Sequence, residues 1–291
     1  MGVLVIDIGT SGLRAGLVRH DGTLHFLNYE ACRPDTPTPG LVEFDAQKLA
    51  EAALRVCNLT IEQSRKTDKI IAVGITNQRA STVIWSKSTG KPFGPALGWQ
   101  DLRTVGECIT AHAEHGIKLA PNQTATKAAW ILKHYIDANK IDHRDVCIGT
   151  VDSFIAATLS NNQLHVTDSS NAAVTGLCEL DAMSWSPRLC EILRVDISTL
   201  PKIVTSLGVL GDATALPGAP PIASLIGDQQ SSLIGQACIT SGATKITFGT
   251  GGMLNTFTGQ NGPTKFARNE HGTYPIVAYR DNEKTSWASE A

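Results

Sequence analysis

No two cysteines of the chain stand at CxxC spacing and no set of histidines stands at metal-ligand spacing, which excludes a zinc site built on either pattern. His112 and His115, three apart, read as the surface of a helix. The 7 cysteines (32, 57, 108, 147, 178, 190 and 238) are odd in number and scattered. They are expected to be free thiols in a reducing compartment, serving as small apolar core residues. The sequons Asn58-Leu59-Thr60 and Asn122-Gln123-Thr124 carry little meaning there. Charge of one sign is missing too: 25 Lys and Arg against 27 Asp and Glu give a net −2. That balance argues against nucleic acid or an anionic membrane as an obligate partner. No apolar run is long enough for a membrane span. The first run is broken by Asp7 and has no basic segment ahead of it, unlike a secretory leader, so the expected location is cytoplasmic. What is present is 291 residues with 42% hydrophobic and 18% charged content, enough for packed cores and, at this length, two domains.

The most informative stretch is VLVIDIGTSGLRAGLV at 3–18. A strand-length apolar run passes through Gly9-Thr10-Ser11-Gly12 and resumes as a second apolar run. Glycine at 9 and 12 permits a tight turn and a close backbone approach. Free N–H groups in such a turn, with the Thr10 and Ser11 hydroxyls, suit phosphate oxygens. Asp7 is a poor strand residue but a good hard-oxygen partner for hydrated Mg²⁺. Arg14 is placed to neutralise phosphate charge. Taken alone, the stretch fits an ordinary hairpin with a polar turn equally well.

Further along, Leu24 to Tyr29 reads as a third strand, and Asp45 as the cap of an amphipathic helix to about Ser64, with Leu49, Ala52, Val56 and Leu59 at helical spacing. KIIAVGIT at 69–76 reads as a strand buried on both faces, ending in Asn77-Gln78-Arg79. Strand, helix, strand forms a crossover unit, in which ligands gather at the carboxyl ends of strands. A helix start is expected at 100–103, a helix over 126–139, a strand over 146–149, and a helix capped by Asp152 or Ser153. Residues 165–173, HVTDSSNAA, read as a polar loop too rich in hydrogen-bonding side chains to be mere spacer. Residues 196–220 read as a loose connector. PIASLIGDQQ at 221–230 repeats the opening device, an apolar run closing on Gly-Asp, and ATKITFGTGGMLNTF at 243–257 repeats the strand, glycine turn and strand. The second turn is no Walker A loop, since no Gly-Lys-Ser/Thr follows, and no dinucleotide fingerprint, since a strand rather than a helix follows. Two such hairpins facing each other would clamp a nucleotide from both sides.

Eight of these segments, in order from residue 1 to about 259, resemble the FGGY carbohydrate kinases, most closely the branch that phosphorylates glycerol. They are DIGTSGLRAG at 7, GITNQR at 74, GWQDLRT at 98, TKAAWIL at 126, GTVDSF at 149, HVTDSSNAA at 165, GDQQSSLIGQ at 227 and TFGTGGM at 247. The resemblance implies an α/β protein of the ribonuclease H-like, actin-like ATPase fold: a mixed sheet flanked by helices, residues 1–238 as the substrate and first phosphate domain, and 239–291 as the beginning of a truncated nucleotide domain. The family runs to roughly twice this length. WASEA at 287–291 is similar to its glycine- and alanine-flanked Glu motif, so most of the adenine-binding half is expected to lie beyond residue 291 and steady turnover by these residues alone is not expected.

By the same resemblance, ATP and Mg²⁺ are the cofactors and a small polyol or sugar the substrate. Asp228 is the implied general base, Asp7 holds Mg²⁺ through water, and Thr10, Ser11 and Arg14 touch the β- and γ-phosphates. Thr250 and Gly251 form the opposing phosphate grip, and Arg79, Trp99 and Gln229 line the substrate pocket, with Gln78 and Gln100 as scaffold. Asp228 also fits a helix N-cap, the 249–252 turn a plain hairpin, and Trp99 core packing. Three positions depart from the glycerol-phosphorylating pattern: Ala80 replaces a Glu that holds a terminal hydroxyl, Asn122 a pocket Tyr, and Gly252-Met253 an aromatic. Loss of the carboxylate acceptor costs a bound hydroxyl about 0.5 to 3 kcal/mol, so a larger or differently oxidised polyol or sugar is expected. The alternative is a catalytically weak or inactive nucleotide-binding regulatory homologue. An actin-like filament subunit would share the hairpins but has no use for NQR, WQD or GDQQ. Exposed cleft surface admits a homo-oligomer.

Overall fold

The computed structural model describes residues 1–248, 252–282 and 284–291. The chain opens with strands β1 (Gly2–Ile8), β2 (Gly12–Arg19) and β3 (Leu24–Ala31), then β4 (Glu43–Phe44) and helix α1 (Ala46–Ser64). Next come β5 (Ile70–Asn77), β6 (Thr82–Ser86), β7 (Ala96–Leu97), α2 (Val105–His115) and α3 (Thr124–Ile131), which runs on as a π-helical turn over Leu132–Asp137. Then follow β8 (Val146–Thr150), α4 (Val151–Leu159), β9 (Val166–Asp168), α5 (Ser169–Ala172) and α6 (Pro187–Leu193). The remaining elements are β10 (Lys202–Val204), β11 (Leu207–Asp212), β12 (Pro221–Gly227), α7 (Asp228–Gly235), β13 (Thr244–Phe248), β14 (Gly252–Gly259), β15 (Tyr274–Asp281) and β16 (Lys284–Glu290).

The main sheet has the order β11-β12-β5-β1-β2-β3. β1, β2 and β3 form an antiparallel meander, whereas β5 runs parallel to β1 on one side and to β12 on the other. Helix α1 crosses over between β3 and β5, and with α4 covers one face, where Leu4, Ile6, Leu49, Val56, Val73, Ile75 and Phe154 interlock in the largest core cluster. The Asp45 side chain caps α1 by accepting from the Lys48 amide at 3.0 Å, a cap that contributes about 1 kcal/mol. A second layer, β4-β7-β6-β8, packs on α3 and α6, and β13-β14-β16-β15 make a separate antiparallel sheet.

Several expectations change in detail. In β5 only alternate residues from Val73 are fully buried and Ile71 is 47% exposed, because helices cover just one face of the sheet there. In α1, Leu59 is exposed and Thr60 takes the buried place: position 60 lies three turns from Leu49 on the same face, and 59 falls off it. The cap of α4 is Thr150; Asp152 sits buried in the first turn, hydrogen-bonded to the Thr150 and Thr167 hydroxyls. Residues 165–173 are no surface loop but β9 and the one-turn α5, buried around Asp168, whose carboxylate accepts from the Ser170 and Asn171 amides and the Ser206 hydroxyl. The connector 196–220 holds two strands, one of them the sheet edge β11. The cysteines are free, six of them buried.

Candidate active site at the carboxyl ends of three strands

Parallel pairing of β5 with both neighbours aligns Ile8, Asn77 and Gly227 in one row. Asp7, Arg79 and Asp228 therefore emerge at one edge of the sheet, where a parallel sheet offers its ligand sites. Asp7 in β1 lies directly across the hairpin from Arg14 in β2, whose Nη1 is 3.2 Å from Asp7 Oδ2, with both side chains substantially exposed. Arg14 also stacks over the Tyr29 ring at 5.3 Å. The surrounding protein still desolvates the Asp7 carboxyl in part and pushes it above its usual range, against the pull of Arg14.

The 9–12 turn is closed by the Gly9 amide donating to Gly12 O at 2.9 Å. Neither glycine is among the positive-φ glycines. Gly12 is needed for close approach instead, since a Cβ there would stand 2.6 Å from Glu30 O in β3. Ser11 is exposed and Thr10 half-buried. A hydrogen-bond chain ties this turn to the segment after β7: the Trp99 amide donates to Ser81 Oγ at 3.0 Å, Ser81 Oγ to Gln78 Oε1 at 3.1 Å, and Gln78 Nε2 to Gly9 O at 3.4 Å. The Trp99 indole, 38% exposed, donates to Thr10 Oγ1 at 3.2 Å. Gln78 is thus scaffold, and Trp99 lies beside the turn rather than in a core.

Asp228 is the first residue of α7, and Gly227, not Asp228, is the cap. Burial raises the Asp228 carboxyl above its usual range; Arg79 pulls it down, and the charges of Asp7 and Glu290 push it up. The two carboxyls of β1 and α7 thus stand at the same end of the sheet, where the charge of Asp7 reaches Asp228. Arg79 Nε stands 3.7 Å from Asp228 Oδ1, and its Nη2 lies 3.0 and 2.8 Å from the two carboxylate oxygens of Glu290 in β16. Gln229 Oε1 accepts from Lys245 Nζ in β13 at 2.8 Å. Glu290, Lys245 and Asn255, which donates to Glu290 at 2.9 Å, are site residues that the sequence reading missed. A signal existed: Lys245 and Asn255 face each other across the β13–β14 register, both buried, a polar pair inside an apolar hairpin. Thr250 and Gly251 lie outside the described residues. A groove of about 690 Å³, lined by Asp35, Glu43, Phe44, Lys91 and Phe93, opens elsewhere and includes none of these residues.

The fold is that of the ribonuclease H-like, actin-like ATPase class. Residues 2–235 match the model of the FGGY family of carbohydrate kinases, N-terminal domain, and the chain belongs to that family. It is 37% identical over 301 residues to a glycerol kinase of Trichlorobacter lovleyi, covering 99% of this chain and 60% of that protein. A glycerol kinase of Gloeobacter violaceus is 35% identical over 300 residues, with 99% and 58% covered. This chain therefore spans about 60% of the length of these relatives. Among solved structures, Plasmodium falciparum glycerol kinase with ADP superposes with a TM-score of 0.89 at 26% identity, over 100% of this chain and 61% of that one. A xylulose kinase from Rhodospirillum rubrum, at 18% identity and a TM-score of 0.87 over 100% and 60%, shares the fold.

Proposed function

We propose that this chain supplies the substrate side of an ATP-dependent kinase that phosphorylates a hydroxyl group of a small polyol or sugar. The observation that carries the reading is the common row in which β1, β5 and β12 end, which brings Asp7, Arg79 and Asp228 to one end of the sheet beside the 9–12 turn. In this reading Asp228 accepts the proton of the substrate hydroxyl while that oxygen bonds to the terminal phosphorus of ATP and ADP leaves. A carboxyl held above its usual range by burial is suited to that transfer. Thr10, Ser11 and Arg14 take phosphate oxygens, with Thr250 and Gly251 as the opposing grip, and Arg79, Trp99 and Gln229 orient the polyol. Transfer of this kind depends on positioning and charge neutralisation more than on covalent chemistry.

Among the described residues no three His, Cys, Asp or Glu gather as a metal cage. The single carboxylate of Asp7 fits Mg²⁺ held mainly by water and nucleotide phosphates, an ion that would neutralise phosphate charge. We further propose a domain boundary at residue 238 and a cytoplasmic location; among the described residues no helix is long and apolar enough to cross a membrane.

The test is a ligand-observed NMR titration of three- to six-carbon polyols and sugars against residues 1–291 with MgADP. At least one is expected to bind saturably. Arg79→Ala should weaken it about tenfold or more, the cost of a lost charged hydrogen bond, while Asp228→Asn leaves binding within a few-fold. No saturable binding across the panel would refute the reading.

A further inference from the structure

Arg79 is held on three sides. Its Nη2 sits between both oxygens of Glu290, at 3.0 and 2.8 Å, and Glu290 is itself fixed by Asn255 Nδ2 at 2.9 Å. Nε faces Asp228. The aliphatic stem runs over Gly227, where a Cβ would stand 2.7 Å from Arg79 Cδ. The remaining nitrogen differs: Nη1 is buried and, among the described residues, has no acceptor. A buried guanidinium donor without a partner is costly, and an oxygen brought by a ligand removes that cost. Charge around the crevice is also matched. Among the described residues Asp7, Asp228 and Glu290 oppose Arg14, Arg79 and Lys245, three carboxylates against three cations that sum to zero when all are ionised.

We propose that Glu290 is a positioning and specificity residue: it fixes Arg79 with Nη1 free for a substrate oxygen and cancels its charge, so that the crevice selects an uncharged polyol or sugar over an acidic one. The inference deepens the kinase reading of the same crevice and rests on it. A carboxylate-bearing sugar would enter as one uncompensated negative charge beside Asp228 and Glu290, and like charges brought together in a desolvated site are rejected. A neutral hydroxyl needs only the open Nη1. A purely architectural role for the Arg79–Glu290 pair, joining β5 to the sheet of β14 and β16, makes no such distinction between ligands.

The experiment compares xylitol, glycerol and gluconate, titrated against this chain and against Glu290→Gln, which keeps an acceptor for Asn255 and Arg79 but drops the charge. Wild type should bind a neutral polyol at least about tenfold more tightly than gluconate, a preference that needs no variant to measure. Glu290→Gln should weaken the polyol several-fold and tighten gluconate several-fold, changes of opposite sign. Equal changes for both ligands, no change, or a wild-type preference for gluconate would overturn the proposal. If wild type binds none of the three, the substrate reading fails with it. The positioning claim is then decided by the Arg79 guanidinium ¹⁵N spectrum: separate, slowly exchanging Nη signals lost in Glu290→Gln uphold it, and identical spectra overturn it.

Discussion

Asp152 shows how one buried carboxyl writes a pH dependence into the fold. It is fully buried, accepts from the Thr167 hydroxyl at 2.7 Å and the Asp168 amide at 3.4 Å, and lies beside a second buried carboxyl. Burial, reinforced by the charge of Asp168, pushes its pKa to about 6, and the threonine hydroxyls offset this only in part. A carboxyl whose pKa is higher folded than unfolded favours the native state in its protonated form. That contribution is fully present below the unfolded value near 3.8 and is lost as pH rises through about 6. Asp152→Asn, neutral at every pH, should therefore gain on wild type between pH 4 and 7, by up to ~3 kcal/mol, and level off above. Thermal melting of both proteins across that range checks it. A difference independent of pH would show that Asp152 does not titrate in this way.

At the scale of elements, helix α1 is fastened to the meander through Thr60. Its hydroxyl lies 3.3 Å from Ala15 O and 3.2 Å from Phe26 O, and it accepts from Asn28 Nδ2 at 3.0 Å. Phe26 adopts φ 53°, where β3 breaks register with β2 and leaves carbonyls in want of a donor. Thr60→Val, close in shape, should cost about 1 to 3 kcal/mol and speed amide exchange in β2 and β3. Unchanged denaturant midpoint and exchange would assign the fastening to apolar packing alone. This case also marks what a sequence makes legible. The boundaries of α1 are written locally, in Asp45 and in the recurrence of Leu49, Ala52 and Val56, and so are the glycine hairpin and the strand that ends at Gly227, just before Asp228. The demand for a hydroxyl at 60 is written in a bulge more than thirty residues away. Residues 165–173 looked like loop because their partners are remote: Asn77 is 94 residues from Asn171, and Ser206 is 38 from Asp168. Glu290 meets Arg79 across 211 residues, a contact that no local pattern encodes.

At the scale of the whole molecule, two sheets meet at the candidate site, joined by the Arg79–Glu290 ion pair. The main sheet contributes Asp7, Arg79 and, at the start of α7, Asp228; the sheet of β13 to β16 contributes Lys245, Asn255 and Glu290. Their junction is further stitched where the Ser206 amide donates to Arg280 O at 2.9 Å and the Arg280 amide to Ser206 Oγ at 3.0 Å. Ser206 in turn donates to Asp168, so the buried polar cluster under the site and the junction of the sheets are one network. Such an arrangement holds charged groups of opposite lobes at fixed separations before any ligand arrives, the preorganisation on which phosphoryl transfer depends. The most direct measurement is a crystal structure of the chain with its best-binding polyol and MgADP. A polyol hydroxyl is expected within hydrogen-bond reach of the Asp228 carboxylate, a second polyol oxygen on Arg79 Nη1, and phosphate against Thr10 and Ser11. A polyol seated away from Asp228, or phosphate bound with no contact to the 9–12 turn, would contradict the kinase reading.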